Sequence, residues 1–346
     1  MSSRVRLRAL STAVPTFVLN QADVQARATR IFQGSDVARM LPVFSNTGIE
    51  RRYSCVPIDW YSEPHGWVDR SELYVENAVA LLENVTQGCL AQAKLTRDDI
   101  DAVVVASTTG VATPSLDALL VERMELRRDV KRLPIFGLGC AGGVIGLARA
   151  ADMAKAAPGS KVLFLVVELC ALTFRKDDFS KSNIVAAALF GDGAAGAILS
   201  TDGEGPAIGV GGEYTWPHSL DVMGWDIQED GLKARFAQSI PSLVASDFRK
   251  ILDEFLRRNT IRLDEIDAFA CHPGGAKVLD ALEDAMGMQR GGIADSRAVL
   301  RDYGNMSAVT MLFVLERMKY RLASQRTLAS ALGPGFTCAF LMIEGQ

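Results

Sequence analysis

The sequence contains one pattern twice, and this duplication constrains the fold more than any other feature. RDDIDAVVVASTTG (97–110) and RLDEIDAFACHPGG (262–275) each run from an acidic lead-in through Ile-Asp-Ala into an apolar strand and a glycine turn. Cys140 and Asn305 follow the isoleucine of the respective pattern by 40 and 39 residues, and each opens an apolar helix. Chance similarity between two ordinary βα units is the alternative. We interpret the pattern as a duplicated unit whose two helices meet at a pseudo-twofold axis, with N-termini that favour negative charge.

Strand and helix patterns alternate along the first half. Apolar strands are predicted over 101–107, 133–136 and 161–167, and a helix is predicted over 143–155. Such βαβ alternation predicts a largely parallel sheet that is covered by helices on both faces.

The two duplicated halves meet in a glycine-rich stretch, 200–212. This seam divides the chain into an N-terminal half, 1–204, which carries Cys140, and a C-terminal half, 205–346. Because no low-complexity linker separates the halves, we expect them to share a large interface.

Composition excludes several classes of function. The 346 residues are 49% hydrophobic with only 12 prolines, which indicates a compact folded chain. A net charge of −4 with interspersed signs predicts that nucleic acid is not a partner. The longest apolar run, 162–167, is far below the roughly 18 residues of a membrane span, so membrane insertion is not expected. Alternating Val5, Leu7 and Ala9 predict a first strand and not a signal peptide.

Cysteine and histidine usage indicates a reducing compartment without a metal site. The six cysteines form no CxxC pair and the chain has three histidines, so neither zinc ligation nor a disulfide framework is expected. Free thiols in a chain of this size predict a cytoplasmic location.

The loop FGLGCAGG (136–143) fits two kinds of chemistry. Its Gly137-x-Gly139-x-x-Gly142 spacing matches a dinucleotide-binding turn, and Glu168 ends the next strand where a ribose-binding acid would lie. However, a helix N-terminus also favours ionisation of a thiol, which would place two anions together beside a pyrophosphate. Packing of Cys140 as a small core residue is a third interpretation. We favour a turn that presents the thiol, because glycines on both sides permit close approach to the sulfur.

His272 and Asn305 are the candidate partners of this thiol. His272 directly follows the strand DAFAC, at the carboxyl edge where open α/β sheets hold their ligands, whereas His65 and His218 lie in polar loops. Asn305 follows Gly304 at the predicted start of a helix, where it would also serve as an N-cap. A Cys-His-Asn order occurs in cysteine proteases as well, but the papain-type cysteine motif is absent.

Several motifs together resemble one family, the type III polyketide synthases, which form the chalcone-synthase-like branch of the thiolase fold. The motifs are FSNTGIERRY (44–53), GLGCAGGVIGLARAADMA (137–154), VELCALTF (167–174), ALFGDGAAGAIL (188–199), CHPGGAKVL (271–279), YGNMSAV (303–309) and GPGFT (333–337). The nearest relative of that family, ketoacyl-ACP synthase III, usually shows His-Gln-Ala-Asn and Gly-Asn-Thr-Ser turns. His272-Pro-Gly-Gly and Gly304-Asn-Met-Ser favour the polyketide synthase.

The resemblance implies a fold, an assembly and a mechanism. It implies a homodimer of five-layer αβαβα subunits with two duplicated halves, and no permanently bound cofactor or metal. Cys140 would be a thiolate paired with His272 that accepts an acyl group from acyl-CoA. His272 and Asn305 would stabilise the enolate that forms when malonyl-CoA loses carbon dioxide. Repeated condensation and a final cyclisation would follow. An NAD-binding oxidoreductase, a ketoacyl-ACP synthase III-like enzyme with a single condensation and an inactive binding module remain alternatives.

The resemblance also implies which residues line the cavity and the coenzyme A tunnel. Phe190 matches the gatekeeper phenylalanine between them. The other expected cavity positions are Thr108, Thr113, Cys170, Thr173, Ala186, Trp225, Ala234, Ser307 and Phe336. Arg39, Gly274 and Lys277 are the expected contacts of coenzyme A, although Pro42 and Asn46 replace two basic residues of the plant enzymes. Thr113 replaces a methionine that reaches the cavity of the partner subunit.

The stretches DVMGWDIQEDGLKARF (221–236) and WYSEPHGW (60–67) are most similar to bacterial alkylresorcinol and alkylpyrone synthases. This similarity predicts a long-chain fatty acyl-CoA starter and an apolar tunnel that holds its chain.

Overall fold

One nine-stranded sheet, which divides into two half-sheets, organises the described part of the chain. The computed structural model describes residues 4–32 and 40–345. The strands within these residues are β1 (Arg6–Ala13), β2 (Phe17–Asn20), β3 (Arg51–Ser54), β4 (Ala102–Ala106), β5 (Lys131–Ile135), β6 (Val162–Leu169), β7 (Asp192–Ser200), β8 (Ala207–Thr215), β9 (Met223–Gln228), β10 (Gly231–Phe236), β11 (Ala268–Cys271), β12 (Arg326–Gly333) and β13 (Thr337–Glu344).

The helices of the described residues are mostly amphipathic or buried. They are α1 (Gln21–Ile31), α2 (Pro42–Ser45), α3 (Trp67–Ala93), α4 (Leu116–Arg123), α5 (Gly142–Ala156), α6 (Lys181–Leu189), α7 (Ile240–Arg258), α8 (Ala276–Met286), α9 (Ala294–Tyr303), α10 (Val309–Arg317) and α11 (Lys319–Leu322). The predicted strands and helix of the first half are confirmed within a residue or two. In the part of the chain that the structure describes, none of the helices combines the length and apolarity that crossing a membrane requires.

The sheet is mixed, so the prediction of a largely parallel sheet was wrong. Over the described residues its order is β11-β12-β13-β8-β1-β7-β6-β4-β5. Only the pairs β4–β5, β4–β6 and β11–β12 are parallel. In each half the strand that follows the parallel pair runs back antiparallel to its neighbour: β7 pairs with β6, and β13 pairs with β12. Around the β1–β8 junction the orders β1-β7-β6-β4 and β8-β13-β12-β11 mirror each other.

Three separate apolar cores give the layers of the fold. Val103 and Val105 of β4 pack with α3 on one face of the N-terminal half-sheet, whereas Val104 faces the opposite core, as the period of two requires. The central core holds α5 and α10 between the two half-sheets. The third core packs α7 and α8 on the outer face of the C-terminal half-sheet. Helices and half-sheets therefore alternate in five layers.

The two central helices approach so closely that one position admits only glycine. A Cβ atom on Gly143 of α5 would lie 2.3 Å from the carbonyl oxygen of Ala308 and 3.2 Å from Leu312. This contact brings together the N-terminal ends of the two helices that the duplication relates. The turns that precede these helices carry Cys140 and Asn305.

Replacing Gly143 with alanine should therefore destabilise the protein. Because the backbone of Ala308 cannot rotate away, we expect Gly143→Ala to lower the free energy of unfolding by about 1–3 kcal/mol. Chemical denaturation followed by circular dichroism measures this loss. Gly224→Ala is the matched control, since a Cβ there meets nothing within 4 Å. Equal stability of the two variants would contradict the close contact between the helices.

Candidate active site

Cys140 lies in a tight turn at the start of a buried helix. It occupies a 3-10 turn, Gly139–Ala141, that leads directly into α5. Gly139 has a φ of +47°, and a Cβ there would lie 2.5 Å from Pro334, so glycine is required on both grounds. The Gly139 N–H donates to the hydroxyl of Thr108 at 3.1 Å. The loop thus presents a thiol at a helix N-terminus, and Cys140 is only 8% exposed.

Asn305 is held from both sides of its amide. Its Oδ1 accepts the backbone N–H of Ser307 at 2.8 Å, and its Nδ2 donates to the carbonyl of Gly274 at 3.2 Å. The helix α10 starts only at Val309, so the expectation that Asn305 opens the helix as an N-cap was wrong. Asn305 instead forms a local turn in which an asparagine side chain bonds the backbone two residues on.

A chain of contacts connects the three candidate catalytic residues. The Cys140 thiol donates to the hydroxyl of Ser307 with an Sγ–Oγ distance of 3.6 Å, and Ser307 is bonded to Asn305. Asn305 is bonded in turn to Gly274, and a Cβ atom added to Gly274 would lie 3.8 Å from the His272 ring. His272 follows β11, as predicted, and is 4% exposed. Neither ring nitrogen has a hydrogen-bond partner among the described residues, so both nitrogens can serve a substrate.

Burial opposes charge on both Cys140 and His272. It raises the pKa of the Cys140 thiol to about 12, with a smaller opposing effect of the Ser307 hydrogen bond and a further rise from the charge of Glu168. Burial also lowers the pKa of His272 to about 4. Both shifts oppose the expected pair of thiolate and imidazolium, because a low-dielectric environment penalises each separate charge.

Phe190 and several expected cavity residues form one small apolar cluster. Cys170, Ala186, Phe190 and Ala234 pack together with Trp225 against them. The Phe190 ring lies edge-on to the rings of Trp225 and Phe236, with centroids 6.0 and 5.6 Å apart. The backbone next to Phe190 pairs with the Asn305 turn, since Asn305 donates to Leu189 and accepts from Gly191. The gatekeeper candidate is thus bonded to the segment that carries Asn305.

Of the remaining predicted cavity residues, Thr173 lies beside Cys170, whereas Phe336 and Thr113 lie elsewhere. Thr173 caps the turn of Cys170, because its hydroxyl donates to the Cys170 carbonyl at 2.7 Å. Phe336 lies apart from the Phe190 cluster, in the outer core against Trp216. Thr113 is exposed in the single subunit.

Two of the three expected coenzyme A contacts, Gly274 and Lys277, lie in the described part of the chain. Lys277 is exposed in the first turn of α8, and Gly274 is half-buried beside His272. Arg39 lies outside the described residues.

Glu168 is a buried acid whose place near Cys140 the sequence analysis missed. Its carboxylate accepts the N–H of Thr108 at 2.9 Å and the hydroxyl of Thr109 at 2.8 Å, and its side chain is fully buried. Burial raises the pKa of Glu168 to about 7, although hydrogen bonds including one from Ser307 lower it. A ribose-binding role is excluded by this burial. A lone acid in the apolar strand VLFLVVEL was the available signal.

Comparison with known proteins identifies the family. A family model described as chalcone and stilbene synthases, N-terminal domain, matches residues 2–203, and the corresponding C-terminal domain model matches residues 212–345. The chain belongs to the chalcone and stilbene synthase family. It is a type III polyketide synthase, an acyltransferase that performs iterative condensations. Members of this family use coenzyme A thioesters as substrates without a bound cofactor.

Individual relatives agree with this family over the whole chain. A 1,3,6,8-tetrahydroxynaphthalene synthase of Streptomyces peucetius is 35% identical, covering 97% of this chain and 92% of the relative. An alpha-pyrone synthesis polyketide synthase-like protein of Mycobacterium tuberculosis is 27% identical, covering 98% and 90%.

A solved structure also confirms the predicted fold. The crystal structure of the 1,3,6,8-tetrahydroxynaphthalene synthase of Streptomyces coelicolor superposes with a TM-score of 0.94 at 28% identity, covering 99% of each chain. The thiolase-like fold is confirmed. The dinucleotide-binding and single-condensation alternatives gain no support.

The protonation state of Cys140 predicts a steep pH dependence of its alkylation. Because the thiolate is a minor species below a pKa of about 12, the rate of alkylation by iodoacetamide should rise about tenfold per pH unit over the neutral and mildly alkaline range. Mass spectrometry of the labelled peptide measures this rate. Cys140→Ala is the control and should lose both labelling and polyketide formation. A rate that is flat from about pH 6 upward would reveal a preformed ion pair with His272 instead.

Proposed function

We propose that this polyketide synthase loads a long-chain fatty acyl group onto Cys140, extends it with malonyl-CoA and cyclises the product to an alkylpyrone or alkylresorcinol. The observation that carries this proposal is an apolar pocket that begins at the Phe190 cluster and runs under α1. Its lining is almost entirely apolar, and it opens to solvent. An alkyl chain is the occupant that such a lining favours.

The pocket lies between two walls of apolar side chains. Val24, Ala28 and Ile31 of α1 form one wall. Cys170, Ala186 and Phe190 form the other wall, and Cys170 is near enough to Cys140 for the two thiols to interact electrostatically. Each methylene that moves from water into such surroundings gains about 0.8 kcal/mol, so longer starters should bind more tightly until the pocket is full.

Loading of the starter requires one proton transfer. Because His272 is neutral, a ring nitrogen can accept the proton of the Cys140 thiol as the sulfur attacks the thioester carbonyl. The carbon–sulfur bond to coenzyme A then breaks, and His272 returns the proton to the departing thiolate. The acyl group remains on Cys140 as a thioester.

Extension uses His272 and Asn305 as hydrogen-bond donors. A neutral imidazole still carries one N–H, and the Asn305 amide has a second N–H besides the one bonded to Gly274. Both can donate to the thioester oxygen of malonyl-CoA, where negative charge develops as carbon dioxide leaves. The enolate carbon attacks the acyl thioester of Cys140, and the Cys140 thiolate departs. The extended acyl-CoA can then reload Cys140 for the next round.

The working assembly that we propose is a homodimer in the cytoplasm. Strand β5 lies at the end of the large sheet, and four of its five residues are exposed in the single subunit. Leu133 is 36% exposed and the adjacent Phe136 is 61% exposed. Exposed apolar side chains on an edge strand are typical of a protein–protein interface, and a second copy of the chain would bury them.

The starter proposal predicts a steep dependence on acyl length. Purified enzyme that receives malonyl-CoA and a graded series of saturated acyl-CoAs should show kcat/KM rising with chain length, and mass spectrometry should detect alkylpyrones or alkylresorcinols. Val24→Phe should move the preference to shorter starters, because the ring fills the pocket beside α1. Ala26→Phe is the matched control, since Ala26 is exposed on the same helix. A preference for aromatic starters, or a tetrahydroxynaphthalene product, would contradict the proposal.

The dimer proposal predicts a change in oligomeric state. Sedimentation should give a dimer for the wild-type protein, and the double variant Leu133→Asp with Phe136→Asp should shift it to a monomer. Charges at these two positions would be buried against the partner, which is unfavourable. Tyr320→Asp, which changes an 84% exposed residue elsewhere, should leave the dimer intact. Identical sedimentation of the wild type and the double variant would contradict an interface at β5.

A further inference from the structure

The carbonyl groups at the end of α6 are bonded by three different segments of the chain. The last carbonyls of a helix have no partner inside the helix. Here side chains from β3 and α1 and the backbone of the Asn305 turn provide the partners. The bonds are Arg52 Nη1 to Ala187 O (2.8 Å), Gln21 Nε2 to Ala188 O (3.0 Å), Asn305 N to Leu189 O (2.8 Å) and Arg52 Nη1 to Phe190 O (2.6 Å).

Arg52 is the central group of this junction. It is 2% exposed, and its stem packs against the Asn305 turn so closely that a Cβ on Gly304 would lie 2.7 Å from Arg52 Cγ and Cδ. Its Nη1 bonds the carbonyl of Phe190 directly. One side chain therefore contacts both the gatekeeper segment and the segment that carries Asn305.

The chemistry of Arg52 is unusual for a residue that only stabilises a core. Among the described residues, its Nε and Nη2 have no hydrogen-bond partner, and burial lowers its pKa to about 10. The charge of the buried Asp192 favours the charged form of Arg52, but no carboxylate of the described residues forms an ion pair with its guanidinium. A buried cation without an ion pair is costly, and apolar residues of similar size often stabilise such a position better. The C-terminal end of the α6 dipole and two carbonyls offset only part of this penalty. We infer that the position serves the geometry of the site.

We propose that Arg52 is a positioning residue that fixes Phe190 relative to Asn305 and thereby determines how many extensions precede release of the product. This inference rests on the proposed gatekeeper role of Phe190. Without the guanidinium, the carbonyls of Ala187 and Phe190 lose their partners and turn toward water. The backbone of Phe190 moves with them, and its ring no longer holds the boundary between the apolar pocket and the Asn305 turn.

Product distribution is the decisive measurement, because a smaller active fraction lowers the rate without changing the ratio of products. We expect Arg52→Met to lower kcat about tenfold to hundredfold with little change in KM for malonyl-CoA, and to shift the products toward fewer extensions. Arg52→Lys should show the same shift to a smaller extent, because one ammonium cannot reproduce the planar donor geometry. Liquid chromatography with mass spectrometry quantifies the products. Arg51→Met, an exposed neighbour on the same strand, is the matched control and should leave the product ratio unchanged.

A double variant tests whether Arg52 acts through Phe190. Phe190→Ala alone should change the product ratio, and adding Arg52→Lys to it should cause little further change. An unchanged ratio in Phe190→Ala would refute the gatekeeper role itself. If Phe190→Ala changes the ratio but the two substitutions act additively, the positioning role of Arg52 is wrong. If Arg52→Met fails to fold, Arg52→Lys decides the question. A folded Arg52→Lys protein with the wild-type product ratio would overturn the proposal.

Discussion

The close contact between α5 and α10 is the constraint on which the active site depends. Gly143 lets the backbone of Ala308 approach without a side chain between them, and the turns before the two helices therefore meet. As a result the thiol of Cys140 reaches the hydroxyl of Ser307 across the boundary between the two halves. Each half supplies one helix N-terminus and one part of the site. The candidate site therefore combines residues of both halves.

Burial at this junction determines the resting chemistry. The same apolar surroundings raise the pKa of Cys140 and lower that of His272, and Glu168 adds a buried acid close to both Cys140 and Ser307. Because a low-dielectric site penalises each separate charge, both shifts favour the neutral form of the group. Among the described residues no group bonds the ring nitrogens of His272, so its N–H is free for the oxygen of a bound thioester.

The apolar pocket and the catalytic turns share structural supports. Phe190 belongs to the wall of the pocket, and its flanking residues pair with the backbone of Asn305. Gln21 connects the start of α1, the opposite wall, to the same end of α6. The start of α1 and the Asn305 turn are therefore both hydrogen-bonded to the last turn of α6.

Local patterns in the sequence determined the elements and the reactive residues. Short apolar runs predicted the strands of the first half. The duplicated βα pattern indicated that Cys140 and Asn305 occupy equivalent positions, and it predicted His272 at the carboxyl edge of a strand. These features depend on neighbours along the chain, so the sequence contains them directly. Motif resemblance added the family and Phe190 as the gatekeeper candidate.

Only the tertiary structure decided how these elements meet. The antiparallel pairing of β6 with β7, the place of Asn305 before its helix and the raised pKa of Cys140 depend on contacts between distant segments. The same holds for Arg52. In the sequence it is a charged residue of a short strand, whereas in the structure α6 and the Asn305 turn bury it. Burial and hydrogen-bond partners come from residues far away in the chain, and a pKa or a positioning role is a property of those surroundings, not of the local sequence.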